Sequence, residues 1–138
     1  MHQKTPRPGW DEGSTAVEAA VIFSLLFTLV FGIVEFGMAL WQLNTMQLVV
    51  LQEGRYAMVN NGTITQAIAQ NDMQNMLPGA TVSCPLPNNP GTGTWHVCAV
   101  IHNGTTPPTM ALAANYGYSV LGLVGPFAVT AQTIVPLD

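Results

Sequence analysis

The feature that most constrains this chain is a long apolar stretch near its N-terminus, from Ala16 to Trp41. Glu18 and Glu35 are the only charged residues in it. A bilayer core of about 30 Å is crossed by about 20 helical residues, so this stretch is long enough to span a membrane. The two glutamates lie about 25 Å apart along a helix, which would place one near each membrane face. We therefore expect one transmembrane helix.

The expected anchor has an uncharged centre from Ala19 to Val34, followed by Glu35 and by Trp41 at an interfacial position. A cleaved secretory signal is a weaker interpretation, because its apolar region runs only about 7–15 residues and ends in a small-residue cleavage site. A buried helix of a soluble protein would be less uniformly apolar. Charged residues make up only 7% of the chain, against about 25% in soluble domains, which also favours lipid contact.

The three basic residues predict the orientation of this helix. Lys4 and Arg7 precede the apolar stretch, and Arg55 follows it. Because the flank richer in Lys and Arg stays in the cytoplasm, we expect a cytoplasmic N-terminus and an exported C-terminal part. Three basic residues cannot form a phosphate-binding patch, so nucleic acid is not expected as a partner.

Cys84 and Cys98 are the only cysteines, and both follow the apolar stretch. An even cysteine count in an exported domain predicts one disulfide. The loop that it closes would contribute roughly 3 kcal/mol in the chain-entropy treatment. Two buried free thiols are the alternative.

A short motif precedes the apolar stretch directly: Gly13-Ser14-Thr15-Ala16-Val17-Glu18. A hydrophilic leader, a glycine, a glutamate shortly after it and a long apolar helix together resemble a class III, type IV-like prepilin signal. Two further runs follow, Phe31-Gly32-Ile33-Val34-Glu35-Phe36-Gly37 and Gln52-Glu53-Gly54-Arg55-Tyr56-Ala57. With these runs, about the first 60 residues resemble the TadE-like family, the minor pilin-like proteins of the tight-adherence (Flp) pilus system.

The resemblance implies a structural and assembly role. An inner-membrane prepilin peptidase would cut after Gly13, so that Ser14 becomes the new N-terminus and Glu18 the fifth mature residue. Glu18 would then pair with the α-amine of a neighbouring pilin or pilin-like subunit. The protein would sit in a bacterial inner membrane with its C-terminal domain in the periplasm, and could enter an extracellular pilus after assembly. The alternative is an uncleaved, signal-anchored binding module of an envelope complex.

The rest of the chain predicts an α+β domain with a pilin-like arrangement. The first helix should continue to about residue 60, and Thr63-Ile64-Thr65-Gln66 predicts a capping box that opens a second, amphipathic helix. Alternating patterns predict strands near 80–86, 95–102, 110–120 and 127–135, forming a small antiparallel sheet. The expected divisions are a leader (1–13), an N-terminal helix (14–60) and an exported domain (61–138).

No chemical machinery for catalysis is evident in the expected exported domain. His96 and His102 lie near the two cysteines, but their spacing matches no standard zinc pattern. Asp72 and Asp138 are the only acidic residues there, which leaves little for general acid–base chemistry. We therefore expect neither an enzyme nor a metal, cofactor or small-molecule substrate. The methionines of the second helix are interpreted as core residues.

Overall fold

The computed structural model of the protein describes residues 11–120 and 127–137. Most of the predicted leader, including Lys4 and Arg7, and the terminal Asp138 lie outside the described residues. The chain forms two compact units, one reaching Phe36 and the other beginning at Gly37. The elements are α1 (Asp11–Val59), α2 (Gln66–Met76), β1 (Thr81–Val82), β2 (Trp95–His102), β3 (Thr109–Tyr118) and β4 (Phe127–Pro136).

Helix α1 is continuous from Asp11 to Val59, and no proline interrupts it. It ends where the sequence predicts, at the Asn60-Asn61-Gly62 turn. The side-chain amide of Asn60 donates a hydrogen bond to the Tyr56 carbonyl at 3.0 Å, which satisfies one of the free carbonyls of the last turn. The C-terminal part of this helix, from Gly37 onwards, belongs to the second unit.

Helix α2 begins two residues later than the predicted capping box. The N-cap is Thr65, whose hydroxyl accepts a hydrogen bond from the Ile68 backbone N–H at 3.3 Å. Thr63 instead donates its hydroxyl hydrogen to the Asn60 carbonyl in the turn after α1. The predicted capping box was therefore wrong. Threonines at 63 and 65 can both act as N-cap residues, and the local sequence alone does not distinguish between them. The helix ends at Met76, shortly before Pro78-Gly79.

The four strands form one sheet in the order β1-β2-β3-β4. Strands β2, β3 and β4 pair antiparallel, with Leu112 opposite both Ala99 and Thr133. The first strand differs from the prediction: β1 is only two residues long and pairs parallel to β2, so the sheet is mixed. Alternation of apolar and polar residues predicts a strand but not its direction in the sheet. Whether β1 and β2 pair parallel or antiparallel depends on the connection between them.

The core of the second unit lies between one sheet face and the two helices. Alternate residues of the strands fill it, as the period-two pattern predicted, and α1 contributes its C-terminal half. Met73 of α2 is completely buried, in agreement with its interpretation as a core residue. The largest fully buried apolar side chains are Met46, Met73, Leu77, Met110 and Leu112.

Two glutamines hold α2 on the sheet side of this core. The side-chain amide of Gln70 donates to the Ala99 carbonyl at 3.0 Å, and that of Gln74 donates to the Ala80 carbonyl at 2.9 Å. Both hydrogen bonds are partly buried, where carbonyl groups need donors. Helix α2 is therefore held by hydrogen bonds as well as by apolar contact.

Candidate functional site

The predicted processing site lies at the beginning of α1. Gly13 and Ser14 are both in the helix and both exposed, as is Glu18 one turn further along. A Cβ atom added at Gly13 would have no neighbour within 4 Å. The peptide bond after Gly13 is thus accessible but helical, and a protease that binds extended backbone would have to open the first turn of α1.

The apolar stretch of α1 follows this site. Its large side chains from Val17 to Leu40 are exposed, with relative exposures between 43% and 69%. Its hydroxyls are satisfied within the helix: Ser24 donates to the Val21 carbonyl and Thr28 to the Ser24 carbonyl, each at 2.8 Å. A helix in lipid must satisfy its polar groups internally, so these bonds suit a membrane environment.

Among the described residues, α1 is the one helix long and apolar enough to cross a membrane. The predicted anchor residues Ala19, Val34, Glu35 and Trp41 all lie on it. Helix α1 is much longer than a bilayer is thick, and the apolar stretch from Ala16 to Trp41 alone is long enough to span one. A transmembrane-capable N-terminal helix is therefore confirmed.

The structure joins Cys84 and Cys98 in a disulfide, as predicted. Their Cα atoms are 5.2 Å apart, within the range that disulfides allow. The bond connects the segment after β1 to the middle of β2, so it tethers the long connection between these strands to the sheet. This pair lies in the second unit, separate in sequence from the processing motif.

The two histidines lie on β2. The ring of His96 forms hydrogen bonds with the hydroxyls of Thr81, at 2.7 Å, and Thr94, at 3.3 Å. His102 is exposed at the end of the strand. Both cysteines are occupied by the disulfide, and the described residues contain no group of three or more His, Cys, Asp or Glu that could hold a metal.

Glu53 is a residue whose environment the sequence did not predict. It lies on α1 in the second unit, beyond the apolar stretch that ends at Trp41, and its side chain is completely buried. Neither carboxyl oxygen has a hydrogen-bond partner among the described residues. Burial in the core, together with the nearby Asp72 carboxylate, raises the pKa of Glu53 to about 7.

A sequence signal for Glu53 existed, but it was indirect. Glu53 continues the buried positions Met46, Val49 and Val50 at helical spacing, so the periodicity places position 53 on the core face of α1. A carboxylate on a core face is rare and expensive unless it is neutralised. The sequence analysis included Glu53 only in the motif that resembles the TadE-like family.

Comparison with known proteins supports the motif-based interpretation of the N-terminal part. The sequence model of the family described as TadE-like protein matches residues 13–55. No curated protein and no solved structure matches the chain. The match begins at Gly13, covers the apolar stretch and ends at Arg55, so it includes Glu53 and Gly54. From Gly13 to Arg55 the chain is therefore similar to the TadE-like family, as its motifs predicted.

Proposed function

We propose that this protein is a minor pilin-like subunit of a tight-adherence pilus, inserted as a precursor and cut after Gly13 by a prepilin peptidase. The observation that carries the proposal is the position of Gly13: it lies in the first turn of α1, begins the TadE-like segment and comes shortly before the apolar stretch. Proteins of the TadE-like family are structural components of the pilus system and not enzymes, in keeping with the lack of catalytic groups in the sequence.

The exposed apolar surface of α1 suits a helix with two successive environments. Its large side chains from Val17 to Leu40 are exposed in the single chain, so lipid or another protein must surround them. In the precursor this surrounding is lipid, because moving each such side chain out of water is favourable by roughly 1.5–3 kcal/mol. After processing, the same surface can pack against helices of other subunits, as small and apolar helix faces do in membranes.

Glu18 supplies the specificity of that packing. Cleavage would create an α-amine at Ser14, a new cation close to the apolar stretch. A carboxylate in lipid costs about 2.5–3.5 kcal/mol on insertion scales, and pairing with the amine of a neighbouring subunit would offset much of that cost. Glu18 is exposed on α1 and thus accessible to such a partner.

We further propose a cytoplasmic N-terminus in a bacterial inner membrane and a periplasmic second unit. The basic residues before the apolar stretch support this orientation. The disulfide supports it independently, because disulfides persist in oxidising compartments such as the periplasm. The alternative function is a signal-anchored binding module of an envelope complex, which shares the orientation but requires that the leader stay attached.

Intact mass and N-terminal sequencing distinguish the two functions. The full chain is expressed in cells with and without the cognate prepilin peptidase, and the proposal predicts a mature form that starts at Ser14 only where the peptidase is present. Gly13→Leu should abolish the shorter form, whereas the control Gly9→Leu should leave it intact. A chain that keeps its leader in the presence of the peptidase would favour the anchored module.

A further inference from the structure

Strand β4 forms a free edge of the sheet. It is ten residues long, from Phe127 to Pro136, and among the described strands it pairs only with β3. Between 130 and 133, its outer side makes no backbone hydrogen bond to another described element. None of its residues is charged. Edge strands usually carry charges, prolines or bulges that discourage further pairing, and β4 has only its terminal Pro136.

The opposite edge of the sheet is much less available. Strand β1 consists of two residues, so the unpaired backbone that it presents is short. Very short edge strands are one of the devices by which proteins avoid additional pairing. An extended ligand would therefore find its longest run of free backbone groups at β4.

A cleft of about 420 Å³ runs along this edge. On the strand side it is lined by four consecutive residues, 130–133, and on the helix side by Gln47, Val50 and Leu51 of α1. Successive side chains of a strand point to opposite faces, so a cleft that touches four in a row follows the edge of the strand and not one face. The unpaired N–H and C=O groups of β4 thus border the cleft.

Leu51 gives the cleft an apolar wall. Its neighbour Val50 is buried in the core, whereas Leu51 is 52% exposed. Because Leu51 lines the cleft beside the edge, α1 extends over the position that an additional strand would occupy. The lining residues of the cleft, within the part of the chain that the structure describes, are all uncharged. The site therefore combines the unpaired backbone groups of β4, the exposed apolar side chain of Leu51 and uncharged lining residues.

We propose that this cleft binds an extended, uncharged segment of a partner protein, which adds as a strand to β4 and places an apolar side chain against Leu51. Backbone hydrogen bonds would provide most of the affinity, and alternate side chains the specificity, as in other cases of strand addition. Because the segment needs no charged residue, the partner differs from the Glu18-paired helix of the proposed function and is independent of leader processing.

The geometry favours a single extended segment over a second copy of this chain. Helix α1 packs closely over β4: a Cβ atom at Gly54 would stand 3.1 Å from Val135 and 3.5 Å from Thr133. In a pair of copies joined through β4, each helix would lie over its own strand and extend toward the other copy. Both helices would then compete for the space beside Leu51, whereas a segment without a covering helix fits there.

A peptide of known chemistry tests the proposal on the full chain in lipid nanodiscs. The probe is a synthetic peptide with the sequence of residues 127–136, capped at both ends, because it is uncharged and alternates apolar side chains. We expect saturable binding by fluorescence anisotropy and slower hydrogen exchange of the amides between 130 and 133. The same peptide with alternate backbone nitrogens methylated should not bind, since it cannot pair with an edge.

Matched variants locate the site. Leu51→Asp places a charge in the cleft and should weaken peptide binding at least tenfold, while Leu48→Asp, at an exposed position of the same helix outside the cleft, should leave it unchanged. Unaltered near-ultraviolet circular dichroism checks that both variants fold. Equal binding of the methylated peptide, or binding that Leu51→Asp does not weaken, overturns the proposal. So does peptide-free dimerisation that Leu51→Asp abolishes, because the occupant would then be a second copy.

Discussion

Gly54 of α1 lies directly against Val135 of β4, so that a Cβ atom added at position 54 would stand 3.1 Å from the Val135 Cγ1. Val135 is buried and cannot easily move aside. The absence of a side chain at Gly54 therefore allows the helix to approach the sheet. This contact links the TadE-like segment to the part of the chain beyond the family match.

Enlarging Gly54 should destabilise the second unit. We expect Gly54→Leu to lower the free energy of unfolding by about 2–3 kcal/mol, because overpacking a dense core costs about 1–3 kcal/mol and this contact is already tight. The measurement is urea unfolding of the full chain in detergent micelles, followed by near-ultraviolet circular dichroism. The control is Gly62→Leu, where an added Cβ atom meets nothing within 4 Å. Equal stability of the two variants would contradict the packing role of Gly54.

Glu53 should make the stability of the second unit depend on pH. Burial and the nearby Asp72 raise its pKa from 4.5 to about 7 in the folded protein, so the folded state holds the proton more tightly than the unfolded chain. The free energy of unfolding should thus be highest below about pH 4.5. It should fall as the pH rises towards 7, in total by on the order of 3 kcal/mol.

The variant Glu53→Gln removes this titration and should flatten the decline between pH 4.5 and 7. Glu18→Gln is the control, since Glu18 lies in the first unit and its replacement should leave the pH dependence as it is. Urea unfolding at a series of pH values provides the measurement. A decline that persists unchanged in Glu53→Gln would show that another group causes it.

The disulfide should stabilise the second unit. Replacing both Cys84 and Cys98 by serine should lower the free energy of unfolding by about 3 kcal/mol, the value expected for a loop of about 15 residues. Mass spectrometry after alkylation, with and without reductant, checks that the bond exists in exported protein. Two thiols that react before reduction would refute the pairing, whatever the stability of the variant.

Glu18 should matter for assembly and not for insertion. We expect Glu18→Ala to enter the membrane normally, because losing a charge makes the apolar stretch easier to insert. Cross-linking to other pilus subunits, and the number of pili per cell, should fall at least tenfold. Glu35→Ala serves as the comparison, since Glu35 is expected near the opposite membrane face. Normal piliation in Glu18→Ala would contradict the pairing with a neighbouring α-amine.

Local pattern was enough to predict the existence of every helix and strand, although it made β1 too long and began α2 too early. A stretch of apolar residues long enough for a bilayer predicts a helix, since each backbone group must be satisfied within it. Alternation in the last third predicts the longer strands, whose boundaries agree with the structure to within two residues. The cysteine count predicts the disulfide. The motif around Gly13 predicts the TadE-like segment, which the family match confirms.

Tertiary structure alone decided how those elements meet. The parallel pairing of β1, the choice of Thr65 over Thr63 as N-cap and the free edge of β4 depend on contacts between residues far apart in the chain. The same holds for Glu53, whose carboxyl is unusual because it is buried and lies near Asp72 of α2. Periodicity in a sequence reports which face of an element is apolar, whereas burial, strand order and pKa depend on what lies opposite that face.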